Sequence, residues 1–155
     1  MMVYDHIITE FTTDDLNELV EAEKVCFPGD PWSREAFLDA LASGSCHILC
    51  AKDMQTSKIV AYSVILCVLD QADLANIAVL PECRGKKLGR ELLLETLKKA
   101  REMGVSEVFL EVRESNLAAR GLYLSSGFVE IGVRRNYYTA PRENAVIMMK
   151  KLIEG

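Results

Sequence analysis

Hydrophobic and polar positions change period several times along this chain, and each change marks an element. Residues 3–9, VYDHIIT, read as a short strand. Thr12 or Thr13 then offers an N-cap for a helix to about residue 26. Asp14, Asp15 and Glu18 suit its positive end, and Leu16, Leu19, Val20 and Glu23 follow the spacing of one apolar side. Pro28, Gly29, Asp30 and Pro31 break the chain before Ser33 caps a second helix through Leu41. The period then falls to that of strands. Residues 46–52, 58–69 and 72–80 are short, apolar and β-branched, with DMQTS and DQAD between them as hairpin connections. Helical spacing returns over 87–103, where Leu88, Leu92, Leu93, Leu97, Ala100 and Met103 share a side and Gly104 stops the run. A strand over 107–113, a helix from Ser115 or Asn116 to Gly127, and strands over 128–137 and 144–152 complete the order β-α-α-β-β-β-α-β-α-β-β. Hairpins in the middle and helical crossovers later require an α/β class with a mixed sheet and helices on its faces.

Composition narrows the class. The chain has 155 residues, 50% hydrophobic and 26% charged, which suits one domain over 1–155 with a substantial core. No run approaches the roughly 18 apolar residues of a membrane span, and MMVYDHIITEF lacks the basic-then-apolar order of a signal peptide, so a cytoplasmic protein without a membrane partner is expected. Five scattered cysteines, Cys26, Cys46, Cys50, Cys67 and Cys83, with no Cys-x-x-Cys pair, fit reduced core thiols better than a disulfide or zinc framework. A net charge of −5 argues against a nucleic-acid partner, which would require clustered excess Lys and Arg. The positive charge is local, around residues 84–90.

That local charge sits in NIAVLPECRGKKLGR, residues 76–90, where an apolar strand enters a basic, glycine-containing loop that opens a helix. Backbone amides at a helix start, beside Arg84, Lys86, Lys87 and Arg90, suit a pyrophosphate without any metal; an exposed basic turn reads equally well from these residues alone. The Walker spacing is absent, so nucleotide hydrolysis gains no support. Glu111 interrupts the apolar strand LEVR. It reads either as a general base whose pKa burial would raise or as an exposed position paired with Arg113. Asn116 and Tyr123, nearly two turns apart, share a helical stripe that suits an extended ligand, or are simply an N-cap and a core residue. Cys67 and Cys83 with His47 lack a local acylation signature.

Taken in order, the strand with its RGKKLG loop, then LEVRESN, then GLYLSSGF resemble the GNAT acyltransferase superfamily. DPWSREAF at 30–37 and VRRNYY at 133–138 resemble its RimI-type branch, the bacterial enzymes that acetylate the N-terminal alanine of a small-subunit ribosomal protein. The resemblance spans nearly the whole chain. It implies a mostly antiparallel sheet of about seven strands flanked by four helices, and acetyl-CoA as cosubstrate with no metal. It places the acetyl and pantetheine part on Ile77, Ala78 and Val79, the pyrophosphate on Gly85, Lys86, Lys87, Leu88, Gly89 and Arg90, and the cofactor arm on Asn116. It makes Glu111 the general base and Tyr123 the general acid, and it sets Trp32, Phe37, Arg134, Arg135, Asn136, Tyr137 and Tyr138 at the rim facing a protein N-terminus.

One position departs from the family pattern [QR]-x-x-G-x-[GA]: Lys87 stands where the first glycine belongs. Its Cβ is expected to crowd a phosphate, with Gly85 absorbing backbone strain and the ammonium compensating in charge. Two alternatives share the fold: an acetyltransferase for lysine, polyamine or small-molecule amines, and a non-catalytic acetyl-CoA-binding module. The residues leave the oligomeric state open.

Overall fold

Strand β5 (Glu107–Arg113) shows how period two becomes a two-sided sheet: Val108, Leu110 and Val112 are buried, while Glu107, Phe109, Glu111 and Arg113 are only half covered. The computed structural model describes residues 5–85 and 87–152. Strands β1 (His6–Glu10), β2 (Cys46–Asp53), β3 (Ile59–Val68), β4 (Gln71–Val79), β5, β6 (Val129–Thr139) and β7 (Arg142–Lys151) form one sheet in the order β1-β2-β3-β4-β5-β7-β6. Every neighbouring pair is antiparallel except β4 and β5, which are parallel and joined by helix α3 (Leu88–Glu102), as a parallel connection requires. The element order is the expected one.

Helix boundaries follow local capping chemistry. Thr12 opens a 3-10 turn over Thr13–Asp15, its N–H donating to Asp15 Oδ2 at 2.9 Å, and the α-helix proper, α1, runs Leu16–Cys26. The first helix is therefore shorter than its apolar spacing predicted. Ser33 accepts from the Ala36 N–H and starts α2 (Arg34–Ala42). Asn116 does the same for α4 (Leu117–Ser125), which Gly127 ends at φ +98°. Of the predicted first strand, residues 3 and 4 lie outside the described residues.

Two layers of helices bury the sheet. Leu16, Leu19, Val20 and Phe37 of α1 and α2 pack on Ile48, Tyr62, Val64 and Ala78. On the opposite face, Leu93 and Leu97 of α3 and Tyr123 of α4 pack on Val108, Leu110, Val112 and Met148. None of the described helices is long and apolar enough to cross a membrane.

The feature that positions a site is a split. β4 and β5 pair only over Gln71–Asp73 and Glu107–Phe109, yet β4 continues to Val79 and β5 to Arg113. The register of β3 on β4 jumps between Val64 and Ile65, leaving Ala75 as an extra residue, and such a bulge bends β4 where it leaves β5. A wedge-shaped cleft opens between the two strand ends.

Candidate active site

One wall of the cleft is the unpaired edge of β4. Leu80 N–H donates to the Val60 carbonyl at 2.9 Å, so by the alternation of an antiparallel ladder Ala78 also turns its polar groups to β3. Ile77 and Val79 turn theirs to the cleft. There the Val79 carbonyl accepts from Arg84 Nε at 2.9 Å and from Cys26 Sγ at 3.7 Å, which ties the basic loop and α1 to the strand. Of the three β4 residues expected to offer backbone groups, only Ile77 and Val79 are oriented to do so.

The loop that follows is held by left-handed backbone. Gly85 has φ +80°, and Lys87, the residue before α3, has φ +64° and ψ +11°. Gly85 therefore does not relieve Lys87 as expected; Lys87 itself adopts the conformation that glycine tolerates and a β-carbon disfavours. Lys86 lies outside the described residues. Beyond it the amides of Leu88, Gly89 and Arg90 open α3 without intrahelical acceptors and carry its positive dipole end. A β-carbon on Gly89 would stand 3.5 Å from Val79 Cγ2, which shows how closely this helix start approaches β4. Leu88 buries its side chain, so its backbone is what it can offer. The Arg90 guanidinium is turned to Ser125 Oγ at 2.7 Å and pins α3 to α4.

The other wall carries titratable groups. Glu111 lies on the β5 face away from the α3–α4 core, with 30% of its side chain exposed, and its ion-pair partner is Arg134 of β6 at 3.5 Å rather than Arg113. Arg113 instead stacks over the Tyr138 ring at 4.2 Å and meets Glu143 Oε1 at 3.2 Å and the Pro141 carbonyl at 2.9 Å. Tyr137 and Tyr138 pack edge to face at 5.0 Å, and Arg134 lies 5.9 Å from the Tyr137 ring. Tyr138 links the cluster. Burial, with Tyr137 beside it, pushes its phenol up to about 12; Glu111 and Glu143 add to the rise, Arg113 opposes it, and Tyr138 in turn adds to the rise at Tyr123.

Tyr123 is 7% exposed and packs edge-on to Phe128 at 5.6 Å. Burial, with Tyr138 adding to it, holds its phenol well above the usual range, and its hydroxyl makes no protein hydrogen bond among the described residues. Asn116 spends Oδ1 on the Ala119 N–H at 3.2 Å, so the capping role is real, while the residue stays exposed at the cleft end of α4. The rim is built from two loops. Trp32 sits 5.1 Å from Phe37, and a β-carbon on Gly29 would stand 3.1 Å from the Ala140 carbonyl oxygen, so the α1–α2 loop abuts the β6–β7 turn.

A sequence profile of the acetyltransferase (GNAT) family matches residues 15–128. The chain is 43% identical over 120 residues to the ribosomal protein bS18-alanine N-acetyltransferase of Escherichia coli strain K12, covering 76% of this chain and 79% of the relative. It is 35% identical over 145 residues to the enzyme of the same name from Haemophilus ducreyi, covering 92% and 97%. The crystal structure of the Escherichia coli ribosomal-protein-S18-alanine N-acetyltransferase superposes with a TM-score of 0.88 at 36% identity, over 97% of this chain and 96% of that one. The chain belongs to the acetyltransferase (GNAT) family.

A GNAT acetyltransferase draws its acetyl group from acetyl-CoA, and the residues present suit that donor. An unpaired strand edge at Ile77 and Val79 can bind an extended amide-bearing arm, and a helix start with free amides can bind its pyrophosphate. Burial raises the thiol of Cys67 and pushes those of Cys46 and Cys50 to about 11 and about 12, which makes these three poor nucleophiles.

Three features that shape the site escaped the residue-level reading. Glu23 is 1% exposed on α1, with burial holding its carboxyl above the usual range; the signal was there, a carboxylate on an apolar stripe, the same signal that singled out Glu111. Arg113 and Glu143, with Ser115 N–H on Glu143 Oε2 at 2.6 Å, clamp the β6–β7 turn to the end of β5. Gly29 matters through its closeness to Ala140, which no local pattern announces.

Proposed function

We propose that this acetyltransferase moves the acetyl group of acetyl-CoA to the N-terminal α-amine of a protein, with the N-terminal alanine of ribosomal protein bS18 as its substrate, and that residues 1–155 act as one domain in the cytoplasm. The observation that carries the reading is the placement of Glu111 at the open end of the β4–β5 split, with Arg134 and Tyr138 beside it and Tyr138 in turn near Tyr123. Similarity to bS18-alanine N-acetyltransferases over most of the chain supports the choice of acceptor.

When bound, acetyl-CoA supplies a thioester-activated acetyl group. Glu111 receives the proton released by the attacking amine, directly or through water. The demand on it is modest, since an α-amine has a pKa near 8 against about 10.4 for lysine, leaving about a tenth already uncharged at pH 7. The Val79 N–H, aimed at the cleft, is the donor for negative charge developing on the acetyl oxygen, a contribution of about 3 kcal/mol. Tyr123 acts as a hydrogen-bond donor to the departing sulfur rather than as a full proton source. A free phenol is already weaker in acid than a thiol by about 2 kcal/mol, and burial of Tyr123 widens that gap. Ile77 and Asn116 hold the pantetheine arm, the α3 amides with Gly85, Lys86 and Lys87 hold the pyrophosphate, and Trp32, Arg134, Tyr137 and Tyr138 face the peptide. Incubation with acetyl-CoA and a mixed peptide library, read by mass spectrometry, tests the reading. Acetyl groups confined to lysine side chains, with free N-termini untouched, would overturn it.

A further inference from the structure

The α1–α2 loop has one polar tie to the sheet that the proposed chemistry does not use. Glu23 Oε2 accepts from the Trp32 backbone N–H at 2.9 Å, while Oε1 accepts from Asn76 Nδ2 at 2.7 Å and from the Tyr62 hydroxyl. Tyr62 and Asn76 belong to β3 and β4, which are paired with each other and packed under α1, so they stay in place with or without Glu23. Trp32 lies between helices, where Pro28, Gly29 and Pro31 leave no regular backbone ladder to restrain it. One oxygen of this carboxylate therefore serves the strand that forms the cleft wall, and the other serves the loop that forms the rim.

We infer that Glu23 is a positioning residue that sets the acceptor rim, holding the Trp32 loop at a fixed distance from β4 so that the peptide N-terminus reaches the cleft in register. The inference rests on the function proposed above for its consequence in catalysis, but not for the loop anchoring itself. Among the described residues no hydrogen bond or ion pair joins Glu23 to Glu111 or to the helix start, so its effect falls on the peptide and not on acetyl-CoA. The carboxylate is nearly fully buried, so water does not readily replace it as the acceptor for the Trp32 N–H.

The test uses the chain's one tryptophan, which is Trp32 itself. Glu23→Met keeps the bulk and removes both acceptors; Glu23→Asp keeps a carboxylate but is one methylene too short to span loop and sheet. In folded Glu23→Met, acrylamide quenching of Trp32 should increase, and the KM for an N-terminal peptide should rise roughly tenfold, as loss of a hydrogen bond to a charged acceptor predicts. The acetyl-CoA dissociation constant should stay within about twofold of wild type, whereas a merely destabilised protein would lose kcat without this split. Glu23→Asp should show the same pattern more weakly, and it decides the matter if the Met variant does not fold. Wild-type quenching and peptide KM in a folded variant overturn the inference, as does an acetyl-CoA affinity that falls in step with the peptide's. If the wild-type protein acetylates no N-terminal peptide, the function proposed above fails, while the quenching comparison still decides whether Glu23 anchors the loop.

Discussion

Replacing Lys87 by glycine should stabilise this protein, although it removes a side chain. The residue sits at φ +64° and ψ +11° immediately before α3 and makes no side-chain cap bond. An L-residue in left-handed backbone costs about 1–2 kcal/mol through the contact of Cβ with the carbonyl oxygen. Glycine removes that strain but adds about 0.4–1 kcal/mol of unfolded-state entropy, so the net gain is about 0.5–1 kcal/mol. For a chain of this size that is about 1–4 °C in Tm. Lys87→Ala isolates the cause, because alanine loses the charge and keeps the Cβ; it should sit below the glycine variant by about 1 kcal/mol, the reverse of the usual order in a helix interior. Urea and thermal unfolding of the three proteins measure this directly. An alanine variant as stable as the glycine variant would refute the argument. Acetyl-CoA affinity should respond differently: the lysine charge helps at low salt and is screened at high salt, so the glycine variant should bind relatively better as ionic strength rises.

The residues proposed for proton transfer give sharper changes. Glu111→Gln should lower kcat/KM by about 10²–10³ with the acetyl-CoA dissociation constant unchanged, since the residue is assigned to the proton and not to the cofactor; equal activity would remove it from that role. Tyr123→Phe should lower kcat by about 10–10² while Tm moves by less than about 2 °C, because among the described residues its hydroxyl forms no protein bond to lose. Glu143 titrates below the ordinary carboxylate range because Ser115 and then Arg113 hold it ionised. Its contribution is therefore present above the unfolded pKa of about 4.3 and lost as pH falls through the lower folded value. Accordingly Glu143→Gln should melt earlier than wild type at pH 7, and the two curves should converge as pH drops below about 4; a constant gap across that window would contradict the assignment.

How much of this was legible depended on the range of the interaction. The alternation in EVFLEVR set the faces of β5 and isolated Glu111 without any partner being known. Capping chemistry placed the start of α2 at Ser33 and narrowed that of α4 to Ser115 or Asn116, of which Asn116 is the cap. The partner of Glu111 was not legible, because Arg134 reaches it across β7, and strand order is decided by the packing of the whole sheet. Nor was the bulge at Ala75, which turns two ordinary apolar strands into a cleft. Lys87 stands between these cases. Its departure from a glycine pattern was visible, but whether the residue would crowd a ligand or strain its own backbone required φ. Glu23 was visible too, on an apolar stripe, and only its three donors reveal why it is there.

The account turns on the amine that receives the acetyl group. Two peptides carrying the N-terminal sequence of bS18 decide it, one with a free N-terminal alanine and one with that amine blocked and a lysine left free. Initial rates of acetyl transfer should be measured for both with the wild-type protein and Glu111→Gln. The account predicts fast acetylation of the free N-terminus, collapse of that rate in the Glu111 variant, and no comparable reaction with the blocked peptide. Efficient acetylation of the blocked peptide at lysine, or a rate indifferent to Glu111, would contradict it.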